Sequence, residues 1–282
     1  HLAAVIEAIV SSVKNAFQSA QTTEIRTTSA TFEDSMPVAW NRSLQAYNRN
    51  PEVVKRTEAE THIALNREMQ LLGFYRDGKL NAFVSFFGVH ATCLGNTLKA
   101  HDGDNKGYAA QHSENYLIEQ GVMNPVTIFA QATAGDVSPH FHGDNQLKIR
   151  KMIKGEAEYQ YAKRNGVFQS DLAIKALVKI GDSSQQKMEP KVGAILSYVN
   201  LSNVEVDAEF ALGQQAKTSI PCHGTAFLAG TPVDGLGAAK PLIYAMNKLA
   251  QALKRKRLAN VNSPEGAFYK KIYDSQGPKN IV

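Results

Sequence analysis

A chain of 282 residues that is 43% apolar and 20% charged has enough material for a sizeable core, which excludes a disordered, collagenous or fibrous protein. Its 31 basic and 26 acidic residues leave a formal charge of +5 and a pI near 9.0, a weak lean toward anionic partners that requires neither lipid nor nucleic acid. Two cysteines, Cys93 and Cys222, are too few for a disulfide scaffold and too far apart for a CxxC metal pair, and no apolar run reaches the ~18 residues of a membrane span.

The opening residues read directly as an amphipathic helix rather than as a secretory leader, so they neither support nor exclude export. Over residues 3–17, Ile6, Ile9, Val10, Val13 and Phe17 fall at helical spacing and predict a helix whose single apolar stripe needs a partner surface. Residues 23–32 read as a strand, and 41–51 as a polar turn region. Segments 69–75 and 80–89 flank Arg76-Asp77-Gly78-Lys79, where Asp-Gly tolerates the positive φ of a tight hairpin turn.

A loop rich in glycine and asparagine leads to a predicted helix over 107–120, then to an apolar strand at 126–130 that ends in Gly135-Asp136-Val137-Ser138-Pro139. Residues 146–164 are charged and helix-prone, with Asn165-Gly166 as the expected stop. Strands are expected at 195–206 and 227–229, and a helix at 242–258 closing on Lys254-Arg255-Lys256-Arg257. Strands and helices in this irregular order predict an α/β or α+β fold: a mixed sheet with flanking helices and long functional loops, in a single domain over 1–282. There is no internal repeat.

His90 closes an apolar strand, Phe86-Phe87-Gly88-Val89-His90, where an imidazole can ligate a metal or move protons, or simply be satisfied by hydrogen bonds beside the core. Asp102-Gly103-Asp104-Asn105-Lys106-Gly107 resembles a calcium loop but lacks the EF-hand pattern, which leaves a helix-capping turn as the alternative. Ser138 lies between Asp136 and His140, without the GxSxG elbow of the α/β-hydrolases. His140 and His142 are either metal ligands or solvated loop residues. The basic run 254–257 complements a helix C-terminus and carries no interleaved aromatics, so nucleic acid is not an expected partner.

In order and wording these segments resemble the catalytic region of the neutral/alkaline non-lysosomal ceramidases. The resemblance rests on Asn41-Arg42-Ser43 with Tyr47 and Asn50-Pro51-Glu52, Arg67-Glu68-Met69, Phe87-Gly88-Val89-His90-Ala91-Thr92, Gly103-Asp104-Asn105-Lys106-Gly107-Tyr108-Ala109, and Phe129-Ala130-Gln131 with Gly135-Asp136-Val137-Ser138-Pro139. Looser matches are Ser202-Asn203-Val204, Cys222, and Phe227 to Thr231 with Asp234-Gly235 and Gly237.

The resemblance implies a zinc-dependent amidohydrolase that cleaves the N-acyl amide of ceramide. Ser138 would be its catalytic serine, Arg42 would steady the transition state, and His90 would be one zinc ligand. The family's other ligands, an upstream histidine and a downstream glutamate and tyrosine, match nothing here, so the chain reads as a part of that domain lacking its N- and C-terminal portions. His140 replaces the family's usual asparagine and Cys93 its usual serine. The implied partners are ceramide or a similar N-acyl lipid and a membrane surface, and the implied location is secreted, periplasmic or cell-surface. Two alternatives stand beside this reading: an inactive lipid-binding descendant of the same fold, and an amidase for another N-acyl amine.

Overall fold

The computed structural model describes residues 2–95, 97–139, 141–181, 193–230, 238–276 and 279–281. The chain forms two compact units, one within residues 1–191 and one within 192–282. Together they show a mixed α/β architecture with open sheets.

The first unit begins with α1 (Leu2–Gln18), followed by β1 (Glu24–Thr31), the two-residue β2 (Trp40–Asn41) and the single turn α2 (Leu44–Tyr47). The predicted hairpin follows as β3 (Glu68–Arg76) and β4 (Lys79–Phe87). Asp77 and Gly78 form its tip with φ of 50° and 75°, the backbone that a two-residue hairpin turn needs. Burial alternates along β3, so Met69, Leu71 and Tyr75 enter the core. Next come α3 (Asp104–Glu119), β5 (Val126–Gln131), β6 (Val137–Ser138), α4 (Gln146–Met152) and the long α5 (Glu156–Gly181).

The main sheet has the order β1-β3-β4-β5, antiparallel except for the β4/β5 pair, which is parallel and joined through α3. Helices α3 and α5 pack on each other, and α5 also packs on β1, β3 and β4. Phe83, Phe87, Met69, Leu117 and Leu177 fill the space between these layers. Tyr75 ties the sheet to α5 by donating to the Leu177 carbonyl at 2.7 Å, and burial pushes its phenol up to about 12. Arg26 caps the end of α5 through the Ile180 and Gly181 carbonyls, both at 2.7 Å.

Two expectations need correction in this unit. Asn165-Gly166 does not stop a helix, because α5 runs through both residues. A Cβ on Gly166 would sit 2.7 Å from the Ala109 nitrogen and 2.7 Å from the Asn105 carbonyl, so the missing side chain permits close helix packing rather than a turn. The stripe of α1 also has no partner among the described residues of this unit: none of its residues is buried, and Ile9 and Phe17 are 59% and 86% exposed.

The second unit holds the short pair β7 (Glu205–Val206) and β8 (Ala216–Lys217), then α6 (Thr225–Ala229), α7 (Lys240–Arg257) and α8 (Pro264–Ser275). Of the strand expected over 195–206 only β7 forms, and Ile195 is 97% exposed. The strand expected at 227–229 is instead the turn of helix α6. Helix α8, not among the expected elements, starts on a serine cap: Ser263 accepts from the Gly266 N–H at 3.0 Å, and Pro264 occupies the first turn.

Candidate active site

Strands β2 and β6 pair in antiparallel register, Trp40 opposite Ser138 and Asn41 opposite Val137, and the Arg42 N–H extends the ladder to the Asp136 carbonyl at 2.9 Å. Two things hold this short ladder in place. Val137 is anchored in the core, and Asn41 is fully buried, donating to the Ala64 carbonyl at 2.9 Å while accepting from the Ser43 N–H at 2.7 Å. The chain entering β2 is held by Arg67, whose guanidinium donates to the carbonyls of Phe32, Glu33, Met36 and His62.

Trp40 is opposite Ser138, and residues two apart along a strand share a face, so Arg42 and Ser138, far apart in sequence, meet on one side of the ladder. Arg42 Nη1 donates to Ser138 Oγ at 3.0 Å, and its Nη2 is fixed by the Gly135 carbonyl at 2.8 Å. Ser138 is fully buried. A permanent cation donating to a buried hydroxyl oxygen stabilises negative charge developing on or beside that oxygen, and a guanidinium braced at its other nitrogen needs little reorganisation to do so.

His90 lies against the same ladder. The Val137 carbonyl accepts from the His90 backbone N–H at 3.3 Å and lies 2.8 Å from Nδ1; a carbonyl can only accept, so Nδ1 is the donor and Nε2 is the ring nitrogen left for a ligand. Metal-ligating histidines are commonly oriented in this way. Among the described residues no group of three or more His, Cys, Asp or Glu is placed to hold a metal ion. His90 therefore fits the role of one ligand, but the described residues do not by themselves make a zinc site.

The segment from Asp102 to Lys106 is the scaffold behind His90. The Asp104 carboxylate accepts from the N–H groups of Cys93, Leu94 and Asn105, and Asp102 accepts from the Asp104 N–H and the Tyr108 hydroxyl, so protein donors occupy both carboxylates. These bonds fix the turn that leads into α3. Asn105 donates to the His90 carbonyl at 3.1 Å. Lys106 donates to the Phe87 carbonyl at 3.1 Å and to Gln169 at 3.0 Å, and burial lowers its ammonium to about 8. Asn165, on α5, donates to the carbonyls of Val38 and Pro139 and so braces both strands of the ladder from below. The sequence offered Asn105 and Lys106 only as part of a matching string, and Asn165 only as a helix stop.

His140 lies outside the described residues, as do Thr231, Asp234, Gly235 and Gly237. His142 is half-buried beside Tyr161, with ring centroids 5.2 Å apart, and burial followed by the nearby Arg150 charge lowers its imidazole. The Cys93 thiol is buried, and burial with the adjacent Asp104 raises it well above the usual thiol range. A thiol so raised is a poor nucleophile.

The model of the family described as "Neutral/alkaline non-lysosomal ceramidase, N-terminal" matches residues 1–282. Similar proteins include the neutral ceramidase of Mycobacterium tuberculosis, 28% identical over 81% of this chain and 34% of its own length. Neutral ceramidase B of Dictyostelium discoideum is 34% identical over 70% of this chain and 30% of its own. The crystal structure of neutral ceramidase from Pseudomonas aeruginosa superposes with a TM-score of 0.62 at 23% identity, covering 86% of this chain and 37% of that one, a likeness of fold. The chain thus spans about a third of the length of the relatives it matches.

Proposed function

This chain belongs to the neutral/alkaline non-lysosomal ceramidase family, and from that premise we propose that it carries part of the active centre of a ceramide amidohydrolase, which cleaves N-acylsphingosine with water into sphingosine and a fatty acid. The observation that supports this reading best is the Arg42 to Ser138 hydrogen bond at 3.0 Å, on the ladder whose Val137 carbonyl also orients His90.

In this reading Ser138 and Arg42 are the catalytic residues. The Ser138 hydroxyl is placed at the scissile carbonyl, and Arg42 donates to the oxygen on which charge develops as the amide is attacked. An amide is a poor electrophile, so a fixed donor aimed at that charge is a large part of what the site must supply. His90 is proposed as one zinc ligand through Nε2, with the other ligands supplied by residues other than those described. No step is assigned to the metal.

The proposed substrate is ceramide or a close N-acyl lipid, met at a membrane surface outside the cytoplasm. No described helix is long and apolar enough to cross a membrane.

The test is hydrolysis of a short-chain ceramide by the wild-type protein and by Ser138→Ala, together with metal analysis of the wild type and His90→Ala. We expect activity to fall by about 10³-fold or more in the serine variant, and about one zinc per chain that is lost in the histidine variant. Full activity in Ser138→Ala would sink the assignment of the serine, and metal retained in His90→Ala would sink that of the ligand.

A further inference from the structure

Trp40 is the single tryptophan of the chain and stands directly opposite Ser138 in the β2/β6 pair. Opposed residues share a face, as do residues two apart on a strand, so the Trp40 indole, the Arg42 guanidinium and the Ser138 hydroxyl belong to one face of the ladder and Asn41 and Val137 to the other. Trp40 is 8% exposed, and its Nε1–H has no hydrogen-bond partner among the described residues. An indole nitrogen can only donate, so it requires an acceptor.

The neighbouring polar side chains on the same strand are all supplied with partners: Asn41 with Ala64 and Ser43, and Arg42 with Ser138 and Gly135. A buried donor left without an acceptor is uncommon, and at a reacting centre a natural source of that acceptor is the bound substrate. Trp40 and Arg42 also wall a cavity of about 400 Å³ with Gln45, Arg49, Glu58 and Thr61, a lining rich in hydrogen-bonding groups. Side-chain shifts at this wall, of the kind common on binding, would open the N–H to a ligand in the cavity.

We propose that Trp40 is a specificity-determining residue whose Nε1–H donates to a hydroxyl of the amino-alcohol portion of the substrate, with the cavity beside it holding that polar end. The inference rests on the amidohydrolase reading above. The acyl carbonyl oxygen is already provided for, since Arg42 is the donor aimed at the Ser138 position. The remaining strong acceptors near the scissile amide of an N-acyl amino alcohol are its hydroxyl oxygens. A site with a buried donor of this kind discriminates against an analogue lacking the acceptor, because the donor then stays unpaired. The class selected is N-acyl amino alcohols over N-acyl alkylamines.

The experiment compares kcat/KM for a short-chain ceramide and for its 1-deoxy analogue, in the wild type and in Trp40→Phe, which keeps a six-membered aromatic ring and removes the donor with the rest of the pyrrole ring. The wild type is expected to prefer the hydroxylated substrate by about tenfold. Trp40→Phe is expected to lose roughly that factor on the hydroxylated substrate and to stay within about twofold on the deoxy one, with a thermal melt checking that the smaller ring leaves the protein folded. As the only indole, Trp40 also reports on its own surroundings, and its emission is expected to shift when short-chain ceramide is titrated into Ser138→Ala.

An unchanged substrate ratio in an active, folded Trp40→Phe overturns the role of Trp40 and leaves the amidohydrolase reading intact. A wild type that neither cleaves nor binds either substrate overturns both.

Discussion

Arg42 donates to Ser138 Oγ and to the Gly135 carbonyl, and the two bonds have different tasks. Lysine keeps the charge but not the planar fork, so Arg42→Lys is expected to lower kcat by about 10² with little change in melting temperature. Steady-state kinetics beside a thermal melt checks this, and a parallel loss of stability would mark Arg42 as a structural brace instead. Lys106 makes a pH-dependent prediction. Its ammonium is lowered from 10.5 to about 8 in the folded protein, so between those values the unfolded chain holds a proton that the folded chain does not. Stability from this group therefore rises with pH across that window. Wild type should gain on Lys106→Met by on the order of 3 kcal/mol from pH 8 to 10.5, read from urea unfolding of both proteins. Parallel pH profiles would show that the ammonium is not desolvated.

At the scale of elements, the α3/α5 contact decides the site's precision, because α3 carries Asn105 and Lys106 and α5 carries Asn165 and Gln169. Gly166→Ala offers a gain in helix propensity of about 1 kcal/mol, but its Cβ would lie 2.7 Å from α3 backbone atoms that cannot yield without parting the helices. Overpacking wins, and a net loss of about 2 kcal/mol is expected in denaturant unfolding, together with reduced activity as Asn105 is displaced from the His90 carbonyl. A more stable Gly166→Ala protein would mean that the helices are less tightly apposed than described. The same contact explains why the helix-stop signal failed. Asparagine and glycine end helices when the backbone turns left-handed, but here one is buried as a donor to two carbonyls and the other is a packing hole.

Across the whole molecule, burial is uneven. Leu117 is 2% exposed in the core between sheet and helices, whereas Ile9 on α1 is 59% exposed. Leu117→Ala should cost about 3 kcal/mol. Ile9→Ala should alter unfolding free energy by no more than about 0.5 kcal/mol. Calorimetry of the two variants checks the contrast, and a cost at Ile9 near that at Leu117 would mean that α1 is packed in solution.

Hairpin β3/β4, helices α1, α3 and α7, strand β5 and the mixed sheet were legible in the amino-acid order because each is signalled by local periodicity or by turn residues a few positions apart. Membership of the family was legible for a similar reason, since the strings around Asp104 and Ser138 are contiguous. The approach of Arg42 to Ser138 was not, because it is made by a two-residue ladder joining segments 96 positions apart. Nor were the duties of Asp104, Asn105, Lys106 and Asn165, each of which accepts from or donates to at least one backbone group ten or more positions away. Periodicity reports which face of an element is apolar. Which buried polar group meets which partner depends on how distant elements are brought together, and that was decided only by the tertiary fold.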